Sequence, residues 1–457
     1  MTINFSSLPL APELLANLND LGYLAMTPVQ EKSLPLILAG KDVIARAKTG
    51  SGKTAAFALG LLARLEVQRF AVQALVLCPT RELADQVAGE IRRLARASHN
   101  IKVLTLCGGV AIGPQLGSLE HGAHIVVGTP GRILDHLRKG SLTLDDVQQL
   151  VLDEADRMLD MGFADAVETI VNACNPARQT LLFSATYPEG IQKISARYQY
   201  EPQDVTVESL HTEQQIEQHF YELRETDSKV LAVQQLLGEF QPQSAIVFCN
   251  TKQQCHDLYV ALREEGISAL ALHGDLEQKD RDRVLVCFAN KSCAILIATD
   301  VAARGLDIKD LDAVINFELA HDPEVHVHRI GRTGRAGASG LALTMVAPKE
   351  LGRLNRLEDY LSSTITMEPL PQPNQDYKQV PDMVTLCIDG GKKDKLRAGD
   401  VLGALTKDAG LEGSAVGKIS IFNFCTYVAV HRSAAKAALQ HLQNGKLKGR
   451  KFRARYA

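Results

Sequence analysis

Ala47-Lys48-Thr49-Gly50-Ser51-Gly52-Lys53-Thr54 follows a strand candidate at residues 42–45 and opens a helical stretch. Glycine in such a turn lets backbone N–H groups wrap a phosphate at a helix N-terminus, where the helix dipole favours negative charge. Lys53 is then positioned for the β- and γ-phosphates of a nucleotide, and Thr54 for its Mg2+. Thr49, Gly50, Ser51 and Gly52 form the cradle itself. The strict pattern has glycine where Ala47 stands, so a flexible Gly/Ser turn is the alternative for this stretch alone. A strand that feeds a phosphate loop and then a helix belongs to a parallel α/β sheet.

Outward from this loop, residues 74–78, 125–127, 150–152 and 181–183 are short, continuously apolar runs. Strands buried on both faces of a parallel sheet read this way. Each run ends in a polar or turn-forming cluster: Pro79-Thr80-Arg81, Gly128-Thr129-Pro130-Gly131, Asp153-Glu154 and Ser184-Ala185-Thr186. Ligands of such sheets bind beyond the carboxyl ends of the strands, where these clusters sit. In Asp153-Glu154-Ala155-Asp156, two adjacent acids at a strand tip suit a metal site, with Asp153 on Mg2+ and Glu154 orienting an attacking water. A solvated acidic loop would explain four such residues in isolation; the phosphate loop upstream in the same sheet argues against it.

The pattern restarts after residue 215, with apolar runs at 245–249, 294–298 and 313–316. Two α/β domains in series are expected, over residues 1–207 and 219–364, joined by polar residues 208–218. Prolines at 369, 371, 373 and 381 make residues 365–382 an extended linker. Residues 383–457 differ. Val384, Leu386 and Ile388 alternate with Thr385, Cys387 and Asp389, as in a half-buried strand. A helix at 399–409, strands at 418–422 and 425–431, a helix at 433–443 and a strand at 451–456 complete a βαββαβ frame, the split-βαβ, RRM-like topology.

Composition bounds the function. The 457 residues are 46% hydrophobic and 23% charged, which excludes a largely disordered chain, a collagen-like fibre or a long coiled coil. Without tryptophan and with 5% aromatics, the cores should be aliphatic. No run approaches the ~20 apolar residues of a membrane span, and Met1-Thr2-Ile3-Asn4-Phe5 is no secretory signal, so a cytoplasmic protein without a membrane partner is expected. Nine cysteines lie singly with no C-x-x-C pair, which points to buried free thiols rather than zinc or disulfides. The net charge of −3 divides into +9 over residues 383–457 and −12 over the rest. A compact basic unit on an acidic body implies a polyanionic partner for the tail.

Taken in order, these elements resemble the motif series of the DEAD-box RNA helicases, over about residues 5–360. Phe5, Gly22-Tyr23 and Thr27-Pro28-Val29-Gln30 resemble the family's adenine-reading element, which implies that Gln30 hydrogen-bonds the adenine edge and Tyr23 stacks on its face. Ala47 is the family's usual residue in the phosphate loop. The resemblance implies RNA-backbone contacts by Pro79, Thr80, Arg81, Gly108, Gly109, Thr129 and Arg132 in the first domain. In the second it implies them for Asn250, Gln278, Arg281, Thr299 and Asp300. Asp307 is implied to face the nucleotide, and Ser184 and Thr186 to couple ATP state to unwinding through Asp156. In His328-Arg329-Ile330-Gly331-Arg332-Thr333-Gly334-Arg335, Arg332 and Arg335 resemble arginine fingers on the γ-phosphate; a solvated basic face, or RNA contact by one of them, is the alternative.

The family implies a fold of two tandem RecA-like parallel-sheet domains, here followed by the RRM-like unit, with ATP and Mg2+ as cofactors. It implies RNA-dependent ATP hydrolysis, requiring the two domains to close, and local unwinding of short duplexes. Contacts of this kind position a strand without reading its sequence, and the 2′-hydroxyl separates RNA from DNA. In the tail, Lys392, Lys393, Lys395 and Arg397 share one loop, and Lys446, Lys448, Arg450, Lys451, Arg453 and Arg455 follow with no acid among them. Such a surface binds phosphates by counterion release. Tyr427 is the one aromatic of its strand expected to be available to RNA. The tail, with Gly390-Gly391-Lys392-Lys393, resembles that of a bacterial branch of the family. That implies binding of a large-subunit ribosomal RNA hairpin with an adjacent duplex, work on a pre-ribosomal particle, and a monomer or weak dimer.

Overall fold

The computed structural model describes residues 3–47, 50–187, 189–207, 216–303, 311–334, 340–374 and 377–457. The first sheet contains β1 (Val43–Arg46), β2 (Ala74–Leu77), β3 (Val103–Leu106), β4 (Ile125–Gly128), β5 (Gln149–Asp153), β6 (Gln179–Ser184) and β7 (Gln203–Thr206), in the order β3-β4-β2-β5-β6-β1-β7. All its ladders are parallel. Alternate residues feed two cores. Val43, Ala45, Val76, Val127, Val151 and Phe183 pack on one face, while Ile44, Leu75, Val126, Leu152 and Leu182 pack on the other. The helix Lys53–Ala63 is buried almost all round, which anchors the phosphate loop to the sheet.

The second sheet contains β8 (Ile216–Glu222), β9 (Ala245–Cys249), β10 (Ala269–Leu272), β11 (Ile295–Thr299), β12 (Ala313–Asn316), β13 (Gly340–Val346) and β14 (Met367–Glu368), in the order β10-β11-β9-β12-β13-β8-β14 and again parallel throughout. β14 lies inside the stretch expected to be an extended linker. Leu370 and Tyr377 of the same stretch pack on the second core, so apolar contacts hold these parts of the linker down.

The third sheet is antiparallel, with β15 (Met383–Ile388), β16 (Val416–Ile421), β17 (Thr426–His431) and β18 (Ala454–Tyr456) in the order β16-β17-β15-β18. Its helices are Ala398–Gly403, continued by a π-helical turn at Ala404–Asp408, and Ala435–Asn444. Leu386, Ile388, Val428 and Val430 face these helices. Cys387 and Tyr427 face the other way and pack with Val286 of the helix Gln278–Ala289. At the same seam Asn290 Nδ2 donates to Thr385 Oγ1 at 3.1 Å, and Ser292 Oγ lies 2.6 Å from that oxygen. Tyr427 is therefore not open to RNA. It is 4% exposed, because the open face of a split-βαβ sheet is here covered by the second domain.

Candidate ATP site and RNA-facing loops

Sheet order divides the first domain's candidates into two groups. Tips of the neighbouring strands β5, β6 and β1 carry Asp153-Glu154, Ser184 and the phosphate loop, while tips of β3, β4 and β2 carry Gly108-Gly109, Thr129 and Pro79-Thr80-Arg81. One half of a single parallel sheet thus presents acids and a phosphate cradle, and the other half presents loops suited to a polymer backbone.

Gly52 occupies the N-cap of the helix Lys53–Ala63 with φ +95°, a left-handed conformation that favours glycine. A Cβ there would lie 2.6 Å from Gln30 Nε2, which donates to the Gly52 carbonyl at 3.1 Å. Gln30 Oε1 in turn accepts from Thr27 N at 2.8 Å. The element expected to read adenine is thereby bonded to the phosphate loop. Tyr23 is fixed through its hydroxyl, which donates to Glu90 and accepts from Arg93 Nη2 at 2.7 Å. Burial and the Glu90 carboxylate push that phenol up to about 12. Phe5 meets its ring edge-on at 6.3 Å.

Asp153 ends β5 at 2% exposure. Burial pushes its carboxyl up to about 7; Lys53 opposes the shift, and the Glu154 and Asp156 charges add to it. Glu154 turns the chain from strand to helix at φ 50°, ψ 52°. A left-handed non-glycine residue costs ~1 kcal/mol, and such strain collects at working sites. Arg157 Nε stands 3.5 Å from Glu154 Oε2, with both side chains buried. Asp156 accepts on one oxygen from both the amide and the hydroxyl of Thr186, each at 3.0 Å. Burial works to raise the Asp156 carboxyl, yet Arg157 and the Thr186 bonds outweigh it and hold the group below its usual range. Ser184 lends its carbonyl to Ala47 N at 3.1 Å, which joins β6 to the phosphate loop.

These residues fit a nucleotide with its magnesium. Lys53 Nζ and Ser51 Oγ are buried with no hydrogen-bond partner among the described residues, as groups awaiting phosphate oxygens would be. Among the described residues no three acids converge on one point, so a divalent cation here would take Asp153, which feels the Lys53 charge, and Thr54 as protein-side partners and the phosphates for the rest. Thr49, Asp307 and Arg335 lie outside the described residues.

In the half expected to face RNA, Thr80 caps the helix Arg81–Leu94, its Oγ1 accepting from Leu83 N at 3.3 Å. Arg81 pairs with Asp85 at 3.8 Å. Arg132 donates to Val110 O and to Gln115 Oε1, both at 2.9 Å, which ties the Thr129 turn to the Gly108-Gly109 loop.

In the second domain, Asn250, Thr299-Asp300 and Gln278 follow the neighbouring strands β9, β11 and β10. Gln278 bonds Asp282 at 2.7 Å, and Arg281 Nη2 donates to Ala302 O at 2.6 Å. Thr299 Oγ1 accepts from Ala302 N at 3.4 Å. Arg332 lies in the turn after the helix Pro323–Ile330. Arg329 was not singled out by the sequence, yet it organises this group. Its fork holds both oxygens of Asp300 at 2.7 Å, and it also reaches Asn250 Oδ1 at 2.7 Å and Glu318 O at 2.8 Å. Its signal was helical spacing. His326, Arg329 and Ile330 share the buried stripe of their helix, an odd place for a cation without partners. In the tail, Lys392, Lys393, Lys395, Arg397, Lys446, Lys448, Arg450 and Lys451 are all exposed.

Comparison with known proteins agrees with this geometry. A DEAD/DEAH box helicase family model matches residues 27–194, a helicase conserved C-terminal domain matches 228–337, and a DbpA RNA binding domain matches 385–456. The chain is 57% identical to the ATP-dependent RNA helicase DbpA of Escherichia coli K12, over 98% of this chain and 97% of that protein. It is 45% identical to the ATP-dependent RNA helicase CshA of Listeria monocytogenes, over 81% of this chain and 71% of that one. Among solved structures, Saccharomyces cerevisiae Dbp5 bound to RNA and ADP BeF3 matches with a TM-score of 0.72 at 31% identity, covering 82% of this chain and 96% of that chain. The chain belongs to the DEAD-box family of ATP-dependent RNA helicases, with a DbpA-type RNA-binding domain as its third part.

Proposed function

We propose that this helicase couples ATP hydrolysis to local separation of short RNA duplexes, and that its tail directs the work to a hairpin of large-subunit ribosomal RNA during assembly of that subunit. The observation that supports the enzymatic part most is the buried Lys53 ammonium without a hydrogen-bond partner in the domain that carries Asp153 and Glu154. Phosphoryl transfer needs positioning and charge neutralisation more than covalent help from the protein. Lys53 and the loop amides bind the phosphates. Bound Mg2+ supplies charge to the phosphate oxygens, with Asp153 and Thr54 as its protein-side partners. Glu154 orients the attacking water, Arg157 steadies Glu154, and Arg332 and Arg335 are cationic partners of the terminal phosphate. Tyr23, Thr27 and Gln30 select adenine.

Asp156, Ser184 and Thr186 carry the nucleotide's state to the RNA-facing loops. RNA is gripped along its backbone by Thr80, Arg81, Gly109 and Thr129 in one domain and by Gln278, Arg281 and Thr299 in the other. Arg132, Asn250 and Asp300 shape these loops from within. The basic tail holds a structured RNA and so raises the local concentration of the neighbouring duplex.

The test is strand displacement on a short RNA duplex placed beside a large-subunit ribosomal RNA hairpin, with a DNA duplex and an unrelated hairpin as comparisons. The proposal expects ATP-driven release on RNA, fastest beside the ribosomal hairpin, and loss of that preference when residues 383–457 are deleted. Binding without ATP-driven release would instead favour an ATP-gated RNA clamp. Retained preference in the truncated chain would overturn the targeting role.

A further inference from the structure

With Tyr427 covered, the tail's sheet offers no aromatic at the centre of its open face. Phe424, in the turn between β16 and β17, does offer one: it is 67% exposed, with Lys393 Nζ 4.6 Å from its ring centroid. Exposure alone would mean little, since single exposed apolar residues are ordinary. The construction around it carries the argument. Lys392 N donates to Phe422 O at 2.8 Å, Lys393 N to Asn423 O at 3.1 Å, and Phe422 N to Cys425 O at 2.8 Å. The aromatic turn is thereby sewn onto the Gly390-Gly391 loop. Gly391 makes the seam possible, because a Cβ there would lie 2.3 Å from Phe422 O. Lys448 Nζ donates to Lys395 O at 2.7 Å, which brings the second basic loop to the first. Two basic loops and one fixed, exposed ring therefore meet at one end of the sheet.

We propose that Phe424 is a nucleobase-stacking platform, taking one unpaired base of an RNA loop while Lys392, Lys393 and Lys395 hold the flanking phosphates. This rests on the proposal that the tail binds a structured RNA. Every base has a π-face, so the platform supplies affinity for unpaired loops without reading sequence. The fixed turn means that little ordering is needed on binding. One face of the ring lies under the Lys393 ammonium, and a base on the opposite face adds stacking to an existing cation–π contact.

The test measures the full chain's affinity for three RNAs across a salt series: a large-subunit ribosomal hairpin, a hairpin of the same stem with an unrelated loop, and a fully paired duplex. Phe424→Ala should weaken both hairpins about tenfold or more and leave the duplex unchanged. The slope of log affinity against log salt should stay as in the unaltered chain. Phe424→Leu, which keeps apolar area without a π-face, should lose as much, and Phe424→Trp should retain binding. Lys393→Ala should instead lower the salt slope by about one. Unchanged hairpin affinity in Phe424→Ala, or equal loss on the paired duplex, would overturn the platform. If the unaltered chain binds both hairpins equally while Phe424→Ala still weakens them, the platform stands and the ribosomal targeting fails.

Discussion

The amide and the hydroxyl of Thr186 both donate to the same carboxylate oxygen of Asp156, each at 3.0 Å. These two hydrogen bonds join the segment after β6 to the first turn of the helix Ala155–Asp160, which follows β5. We propose that this pair carries a change at Glu154 to residues outside the nucleotide site. Thr186→Val removes one of the two donors and keeps the shape. ATP turnover should stay within a few-fold of the unaltered chain while strand separation falls about tenfold or more, the loss expected for a hydrogen bond to a buried charge. Duplexes released per ATP hydrolysed is the quantity to measure. An unchanged ratio would remove this pair from the coupling route.

Gly52 combines a left-handed backbone with contact to Gln30. Gly52→Ala must strain the turn by ~1 kcal/mol and push Gln30 away as well. Affinity for a fluorescent ADP analogue should fall about tenfold or more, and the far-ultraviolet spectrum should not change.

Arg329 holds Asp300, Asn250 and the Glu318 carbonyl from a position that is 2% exposed. Arg329→Met would leave the half-buried Asp300 carboxylate without its partner, a loss of ~1–3 kcal/mol. Arg329→Lys should recover only part of this, because an ammonium cannot match a two-oxygen fork. Denaturant unfolding of the full chain checks both, as an early transition of the second domain.

His326 is packed against Phe220, with ring centroids 5.9 Å apart, and neither ring nitrogen has a hydrogen-bond partner among the described residues. Burial, helped by Arg329, lowers its pKa to about 3. The folded chain therefore holds this ring neutral where the unfolded chain, with an ordinary pKa of ~6.5, takes a proton. Its contribution to stability is complete above that value and drains away as pH falls toward 3, at up to ~1.4 kcal/mol per pH unit. His326→Leu should flatten the fall in melting temperature between neutral pH and pH ~5. An unchanged slope would contradict the neutral, buried ring.

Much of this was legible in the chain. The central strands β2, β4, β5, β9 and β11 are continuous apolar runs, and their polar ends lie where parallel sheets bind ligands. Edge strands were not legible. In β3 and β10 the two middle residues are only half-buried, and β7 is mostly exposed, so hydrophobicity alone does not mark them. The short strand β14 was hidden among prolines. Tyr427 was misread for a different reason. Period two assigns Tyr427 and Ala429 to one face of β17, but only a contact with Val286, far away in sequence, decides whether that face meets water. The Arg329 network is equally non-local, reaching back 79 residues to Asn250.

The central claim is that Glu154 drives an ATP hydrolysis whose outcome is RNA strand release. Single-turnover phosphate release and strand release, followed together on a short RNA duplex, test it most directly. The account predicts that Glu154→Gln binds ATP and RNA as tightly as the unaltered chain. Phosphate release should be slower by about 10²- to 10⁴-fold, the usual yield of a positioned general base, with no repeated rounds of unwinding. Phosphate release at the unaltered rate in Glu154→Gln would contradict it.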